Sequence, residues 1–516
     1  ALLAGGRGWK QAYESIGFKD AVQGKILPEG IDPLDCRYNV IQWVHRSTRG
    51  WSYGASVVDP RTGEIIKGHV SLGSLRIRQD YMIAQALTKD PFVSENHSDR
   101  MLELAIARIR QLSAHEIGHT IGFAHNFAAS TNNRASVMDY PHPLVKINDG
   151  EIVFDDAYDS GIGDWDKVTV AYSYSDFKSG QNEDDELNKI LEDATKDGLR
   201  FISDYDARSV DGSHAYAHLW DNGDTAYSGL DKVIEIREKA IQNFSQNNVP
   251  RGTPNSVLED VFVPLYFFHR YQTEATAKII GGMDYNYSLV GDNQKQFHYL
   301  DKDNQINALN SLLRTLSPSF LAIPKDKLKL FPPRAFGYPR TRESFKSNLA
   351  VAFDPFSVSE TSADMTLSLI LRPKRLNRLI LQNSIDSSNL SLNELYSFLI
   401  NNTILKKQYD WMINDVYHSE VQHIVNTTLL KNIFTVINNS NTFSQVKSIS
   451  YDNLKKITSE LSSKKSKKYY SSYSDYYLKM ITDFYDDPDE YKTKDSLKIP
   501  DGSPIGSDNC NFIPIK

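Results

Sequence analysis

The sequence predicts an α+β domain followed by a mainly α-helical C-terminal region. Three observations predict it. Residues 53–73, YGASVVDPRTGEIIKGHVSLG, read as two strands joined by a turn at Asp59-Pro60-Arg61-Thr62-Gly63. Residues 98–122 carry apolar side chains at helical spacing until Gly122 stops them. Beyond residue 178 the texture changes: segments 185–202, 229–244, 303–316 and 392–405 all repeat apolar residues at i, i+3 and i+4, between loops rich in Gly, Pro, Asn and Asp. A chain of 516 residues is too long for one core. The change of texture divides it into 1–178, a mainly helical domain 179–405, and a helical extension and tail 406–516.

The remaining elements follow in order. WKQAYESIGF, residues 9–18, has helical spacing and ends near Gly17. RYNVIQWV, residues 38–45, is rich in β-formers. GDWDKVTVAYSY, residues 163–174, reads as a short helix with Asp164 as N-cap. No strict repeat period runs through the helical part, so a solenoid is not supported. The acidic run 182–188 lacks a calcium-loop pattern and reads as a solvated helix start. The Lys- and Tyr-rich stretch 464–477 reads as a solvated helix face, and the last residues as a loosely held tail.

Composition excludes several classes. Apolar residues make up 40% and charged residues 24%, as in ordinary globular proteins. A net charge of -7 argues against a nucleic-acid partner or an anionic membrane. The longest apolar run, VFVPLYFF at 261–268, is far short of the ~20 residues that span a bilayer, so no transmembrane segment is expected. The chain opens on Ala1 with no signal peptide, which reads as a processed product or a fragment. Two cysteines, Cys36 and Cys510, rule out a disulfide framework and a Cys-based zinc site. No Gly-rich phosphate loop and no G-x-S-x-G elbow is present.

Chemistry concentrates in SAHEIGHTIGFAHN, residues 113–126, which holds three of the chain's 13 histidines. His115 and His119, four apart on a helix, face the same way and suit one shared ion. Glu116 is too close in sequence to be a third ligand, yet well placed to hold a water as general base. Gly122 tolerates positive φ, ends the helix, and lets the chain return with His125 as third ligand. The rival third ligand is Glu151, from a later element. Three histidines on and beside a buried apolar helix would be costly without such a partner. Of the isolated histidines, His69, His142, His214 and His218, the best placed is His142, between two prolines.

The pattern His115-Glu116-x-x-His119-x-x-Gly122-x-x-His125, followed by SVMDYP at 136–141, resembles the metzincin zinc endopeptidases. Segments 32–70, 107–130 and 134–144 are similar to a bacterial group of zinc-dependent metalloproteases with a large helical C-terminal region. The resemblance is strong over 1–175 and weaker through 214–223 and 269–282. It implies a twisted mixed sheet beside an active-site helix. It implies one catalytic zinc ion held by His115, His119 and His125, with Glu116 as catalytic base, Met138 as the floor of the site, and Tyr140 on the metal or the oxyanion. It also implies a protein or peptide substrate and a secreted, periplasmic or cell-surface location. Asn126 departs from the residue that labels the better-known subfamilies, and the sequence reads as starting inside the first helix, so that the strand expected before it falls outside these residues.

The mechanism so implied is peptide-bond hydrolysis by a zinc-bound water that Glu116 deprotonates. The strand holding Gly54, Ala55, Ser56 and Val57 is the candidate edge for an extended substrate. Two other readings stay open: a surface binding or adhesion protein with a purely structural metal, and a zinc hydrolase acting on peptidoglycan peptides. A structural site has no need of a carboxylate at position 116.

Overall fold

The computed structural model describes residues 1–45, 52–93, 95–292, 294, 296–406, 415–463, 471–489 and 498–501. Helices α1 (Leu2–Gly8) and α2 (Lys10–Ser15) precede strands β1 (Val40–Val44), β2 (Tyr53–Val58) and β3 (Ile65–Gly73). Helices α3 (Leu75–Leu87) and α4 (Glu95–Thr120) follow, then the hairpin β4 (Lys146–Asn148) and β5 (Glu151–Val153) and helix α5 (Asp164–Tyr174). The sheet has the order β1-β3-β2, with β1 parallel and β2 antiparallel to β3. It is the mixed sheet the sequence led us to expect, and β2 lies at its edge. Val70 and Leu72 of β3 pack on Ile109 and Leu112 of α4, which fixes the sheet on that helix. Each such burial contributes about 1.5–3 kcal/mol.

Helix α1 was not legible, because its sequence LLAGGRG has poor helix propensity. Tertiary contact supplies what propensity lacks: a side chain at Gly5 would collide with the Arg110 carbonyl, so the bare backbone of α1 lies directly on α4. The cap of α5 also differs from expectation. Asp164 is the first residue of the helix and pairs with Lys167, whereas the carboxylate of Asp166 accepts the Gly163 N–H.

Helices α6 (Glu183–Lys196), α7 (Asp204–Ala207), α8 (Ala226–Asn243), α9 (Leu258–Tyr266) and α10 (Arg270–Ile279) continue the chain. After the hairpin β6 (Met283–Tyr285) and β7 (Phe297–Tyr299) come α11 (Lys302–Arg314), α12 (Pro318–Leu321), α13 (Lys325–Leu328), α14 (Pro355–Ile370), α15 (Pro373–Ile385) and α16 (Leu392–Asn402). Helices α17 (Val416–Asn438), α18 (Ser444–Ser463) and α19 (Ser471–Asp486) close the described part. The four segments with helical periodicity became α6, α8, α11 and α16. The apolar run 261–268 falls mostly in α9, buried in the core. Of the Lys- and Tyr-rich stretch, residues 464–470 lie outside the described residues; in its described part Tyr473 and Tyr476 are exposed, while Ser474 and Tyr477 are buried. One continuous apolar core joins Leu87 of α3 and Leu104 of α4 to α8, α9, α14 and α17, so α4 is bolted to the helical region. Among the described residues no helix is long and apolar enough to cross a membrane. Cys36 is exposed, and Cys510 lies outside the described residues.

Candidate metal centre

Helix α4 delivers His115 and His119 from its last two turns, and its ending delivers His125. Gly122 adopts φ +96°. Its N–H bonds to the His119 carbonyl at 3.1 Å, and the Phe123 N–H bonds to the Gly118 carbonyl at 3.0 Å. This pair of bonds is a Schellman stop, which needs a left-handed residue at that position. The chain then turns back through His125, and the Asn126 N–H bonds to the Met138 carbonyl.

All three imidazoles are buried. Each spends its Nδ1 on an oxygen: His115 on the Val137 carbonyl at 2.7 Å, His119 on the Phe123 carbonyl at 2.8 Å, His125 on the Asp204 carboxylate at 2.8 Å. Carbonyl and carboxylate oxygens only accept, so Nδ1 carries the hydrogen and Nε2 is left with a bare lone pair. Those Nε2 atoms converge, with His119 at 3.2 Å from His115 and 3.1 Å from His125. Burial keeps the rings neutral, pushing His119 down to about 3 and the other two below the ordinary imidazole value. Three neutral lone pairs this close repel one another unless a cation sits among them. Imidazole nitrogens bound tetrahedrally at ~2.0–2.1 Å stand ~3.3 Å apart, so the donor set fits a zinc ion. Among the described residues this is the group of three that could hold a metal.

Glu116 is buried, and that burial raises its carboxyl to about 8 against the opposing pull of Arg108 and the Gly54 amide. A nearby divalent cation would bring it back down. Arg108, one of the most deeply buried cations, lies over the Tyr158 ring and bonds to Gln111, which itself donates to the Val137 carbonyl that receives His115. Gly54, on the edge strand, abuts the backbone carbonyl of Glu116. Ala55 and Val57 of the same strand are exposed, and Ser56 is half-buried.

Met138 is buried with its sulfur under Gly118, in the middle of the helical motif. Its turn is tied by Asp166 of α5, which accepts from the Ser136 hydroxyl at 2.6 Å and the Val137 N–H at 2.8 Å. The Tyr140 ring lies 5.2 Å from the His115 ring and 4.9 Å from that of His125. Its hydroxyl oxygen accepts from Arg208 at 3.2 Å.

Other sequence candidates lie elsewhere. Glu151 is exposed on β5, paired opposite Asn148. His142 packs on Phe268, His214 bonds to the Tyr285 carbonyl, His69 sits opposite Ala55 in the sheet, and His218 is buried. Asp204 and Arg208 escaped sequence reasoning. Their i, i+4 spacing is that of any solvated helix pair, and no local signal links them to a histidine far upstream.

Three buried, convergent imidazoles that could hold a metal ion thus stand on and after the same helix as a buried carboxylate, Glu116. A model of the Met-zincin family matches residues 97–410, well over half of the chain, and the protein belongs to that family. Membership places it among the zinc-dependent proteases. No curated protein and no solved structure matches the chain.

Proposed function

We propose that the protein is a zinc-dependent endopeptidase in which His115, His119 and His125 hold the ion and Glu116 is the general base. The observation that carries this reading is the convergence of three Nε2 lone pairs beside a buried carboxylate on the same helix. Zinc, when bound, supplies a Lewis acid that polarises the scissile carbonyl and acidifies water. Glu116 takes the proton of the attacking water and hands it to the leaving amine nitrogen. Tyr140, its ring packed beside those of His115 and His125, donates its hydroxyl proton in a hydrogen bond to the oxyanion that develops on the carbonyl oxygen. Met138, its sulfur under Gly118 between the two helical histidines, serves as the floor of the site.

An extended peptide pairs with the open edge of β2. Since the Gly54 amide serves Glu116, Ala55, Ser56 and Val57 offer the substrate-facing backbone. Strand pairing of this kind engages residues on both sides of a bond, which is the reason for proposing an endopeptidase. Work outside the cytoplasm, by secretion or at the cell surface, accords with this reading.

The test is hydrolysis of denatured casein and of an internally quenched peptide library, with and without a chelator. Cleavage at internal bonds that stops with the chelator and returns with zinc is expected. Cleavage unaffected by the chelator, or an absence of cleavage at saturating zinc, would overturn the proposal.

A further inference from the structure

The helical part of the chain reaches the metal centre through Asp204, which opens the four-residue helix α7, and Arg208, which follows it. The Asp204 carboxylate accepts the Nδ1–H of His125 with both oxygens, at 2.8 and 3.0 Å. Arg208, one turn on, binds Asp204 through Nε, donates Nη2 to the Tyr140 hydroxyl at 3.2 Å, and stacks over Phe127 and Tyr140. A guanidinium only donates, so Tyr140 accepts in this contact and its own proton is turned away from Arg208.

This helix is too short to be rigid by itself, and its surroundings hold it. Ahead of it, Asn126, the residue after the third histidine, donates to the Arg200 carbonyl at 2.7 Å and accepts from the Ile202 N–H at 3.2 Å. The Phe127 N–H bonds to the Ile202 carbonyl at 2.8 Å. Tyr285 and Tyr287 both bond to Asp206. Behind it, cations of α10 and α15 grip the backbone: Lys278 bonds to the Ala207 carbonyl, Arg375 to Val210 at 3.2 Å, and Arg378 to Asp211 at 3.0 Å.

Resting on the endopeptidase reading, we propose that Asp204 and Arg208 are positioning residues of the centre, one acting through His125 and the other through Tyr140. Asp204 fixes the ring and tautomer of His125 and strengthens it as a donor to zinc. Arg208 fixes the Tyr140 hydroxyl oxygen by donating to it, which leaves the hydroxyl proton free to point away from the guanidinium. The helical region thereby completes the site instead of merely walling it.

The experiment has two arms on the full chain. In the first, zinc affinity is measured by competition with a chromophoric chelator, with no substrate present. Asp204→Asn, which keeps shape and loses charge, should weaken zinc about 10-fold and Asp204→Ala about 100-fold, while the metal-free forms melt within a few degrees of the native one. Unchanged zinc affinity in both variants overturns the role of Asp204. If Asp204→Ala fails to fold, Asp204→Asn alone decides. In the second arm, Arg208→Met should lower kcat about 10-fold or more with KM unchanged, Arg208→Lys should recover part of it, and Arg208→Met should add nothing in a Tyr140→Phe background. An equal loss with and without the Tyr140 hydroxyl overturns the role of Arg208. If the wild-type chain cleaves no peptide, the endopeptidase reading falls and takes the Arg208 arm with it, while zinc competition still judges Asp204.

Discussion

His125 and Asp204 stand 79 positions apart in the chain and 2.8 Å apart in space. The third imidazole of the centre is therefore oriented by a carboxylate from the helical half, and the site draws on both sides of residue 178. The local His motif places three nitrogens together, and distant residues decide how firmly each is held.

Gly122 makes a prediction that separates folding from metal binding. Its φ of +96° is costly for any residue with a side chain, so Gly122→Ala should destabilise the fold by ~1–2 kcal/mol. Because the same turn aims His125, zinc affinity should fall as well. Gly17 has a similar φ of +94° in an exposed turn that contributes no residue to the His cluster. Gly17→Ala should lower stability comparably and leave zinc affinity alone. Equal zinc affinities in the two variants would show that the turn does not position His125.

Asp166 makes a second. It gathers the Ser136 hydroxyl and the N–H groups of Val137 and Gly163. Removing the carboxylate leaves two buried donors and one half-buried donor unpaired, at about 1–3 kcal/mol for each buried one before relaxation. Asp166→Ala should cost about 3 kcal/mol or more in urea unfolding, and Asp166→Asn less. A loss below 1 kcal/mol would mean that the Met turn is held by packing alone.

The stability of the metal-free protein should peak near pH 6.5. Burial lowers His142 to about 3, His214 to about 4, and also His115, His119, His125, His218 and His269. Below their ordinary value of 6.5 the unfolded chain takes up protons that the folded chain refuses, so stability falls with pH by ~1.36 kcal/mol per unit for each net proton. Burial raises Asp166 to about 6, Asp221 to about 7, Glu116 to about 8, and Asp139 as well. These carboxyls keep protons that the unfolded chain has released, so they lose stability as pH rises toward 8. The histidines outnumber them on the acid side; above 6.5 the carboxyls dominate, opposed near pH 8 by buried Lys278, which is lowered to about 8. Urea unfolding from pH 4 to 8 reads the profile, and His142→Phe should flatten its acid limb by one proton. A stability constant across that range would contradict the assigned burial effects.

The outline of the site was legible because helical spacing fixes which side chains share a face. His115, His119 and the stop at Gly122 follow from that periodicity and from the conformation glycine alone adopts cheaply. The hairpin of β2 and β3 follows from alternation and turn chemistry. What the sequence did not disclose depends on contacts between distant segments. Asn126 stood out only as a departure from familiar subfamilies, and its work is to dock residues 200–202, which carry Asp204 to His125. The helix α1 was hidden because its glycines oppose helix formation in isolation and favour it only against α4. Asp166 was hidden behind Asp164, a better match to the capping pattern and two residues too early.

The central claim is that one zinc ion sits among three imidazoles while Glu116 moves the proton. Its most direct test measures bound zinc and peptide hydrolysis in the same samples of native protein and Glu116→Gln. The account predicts one zinc per chain in both, with hydrolysis reduced at least 10²–10⁴-fold in the variant. Undiminished hydrolysis by Glu116→Gln, or a native protein that hydrolyses peptides without zinc, would contradict it.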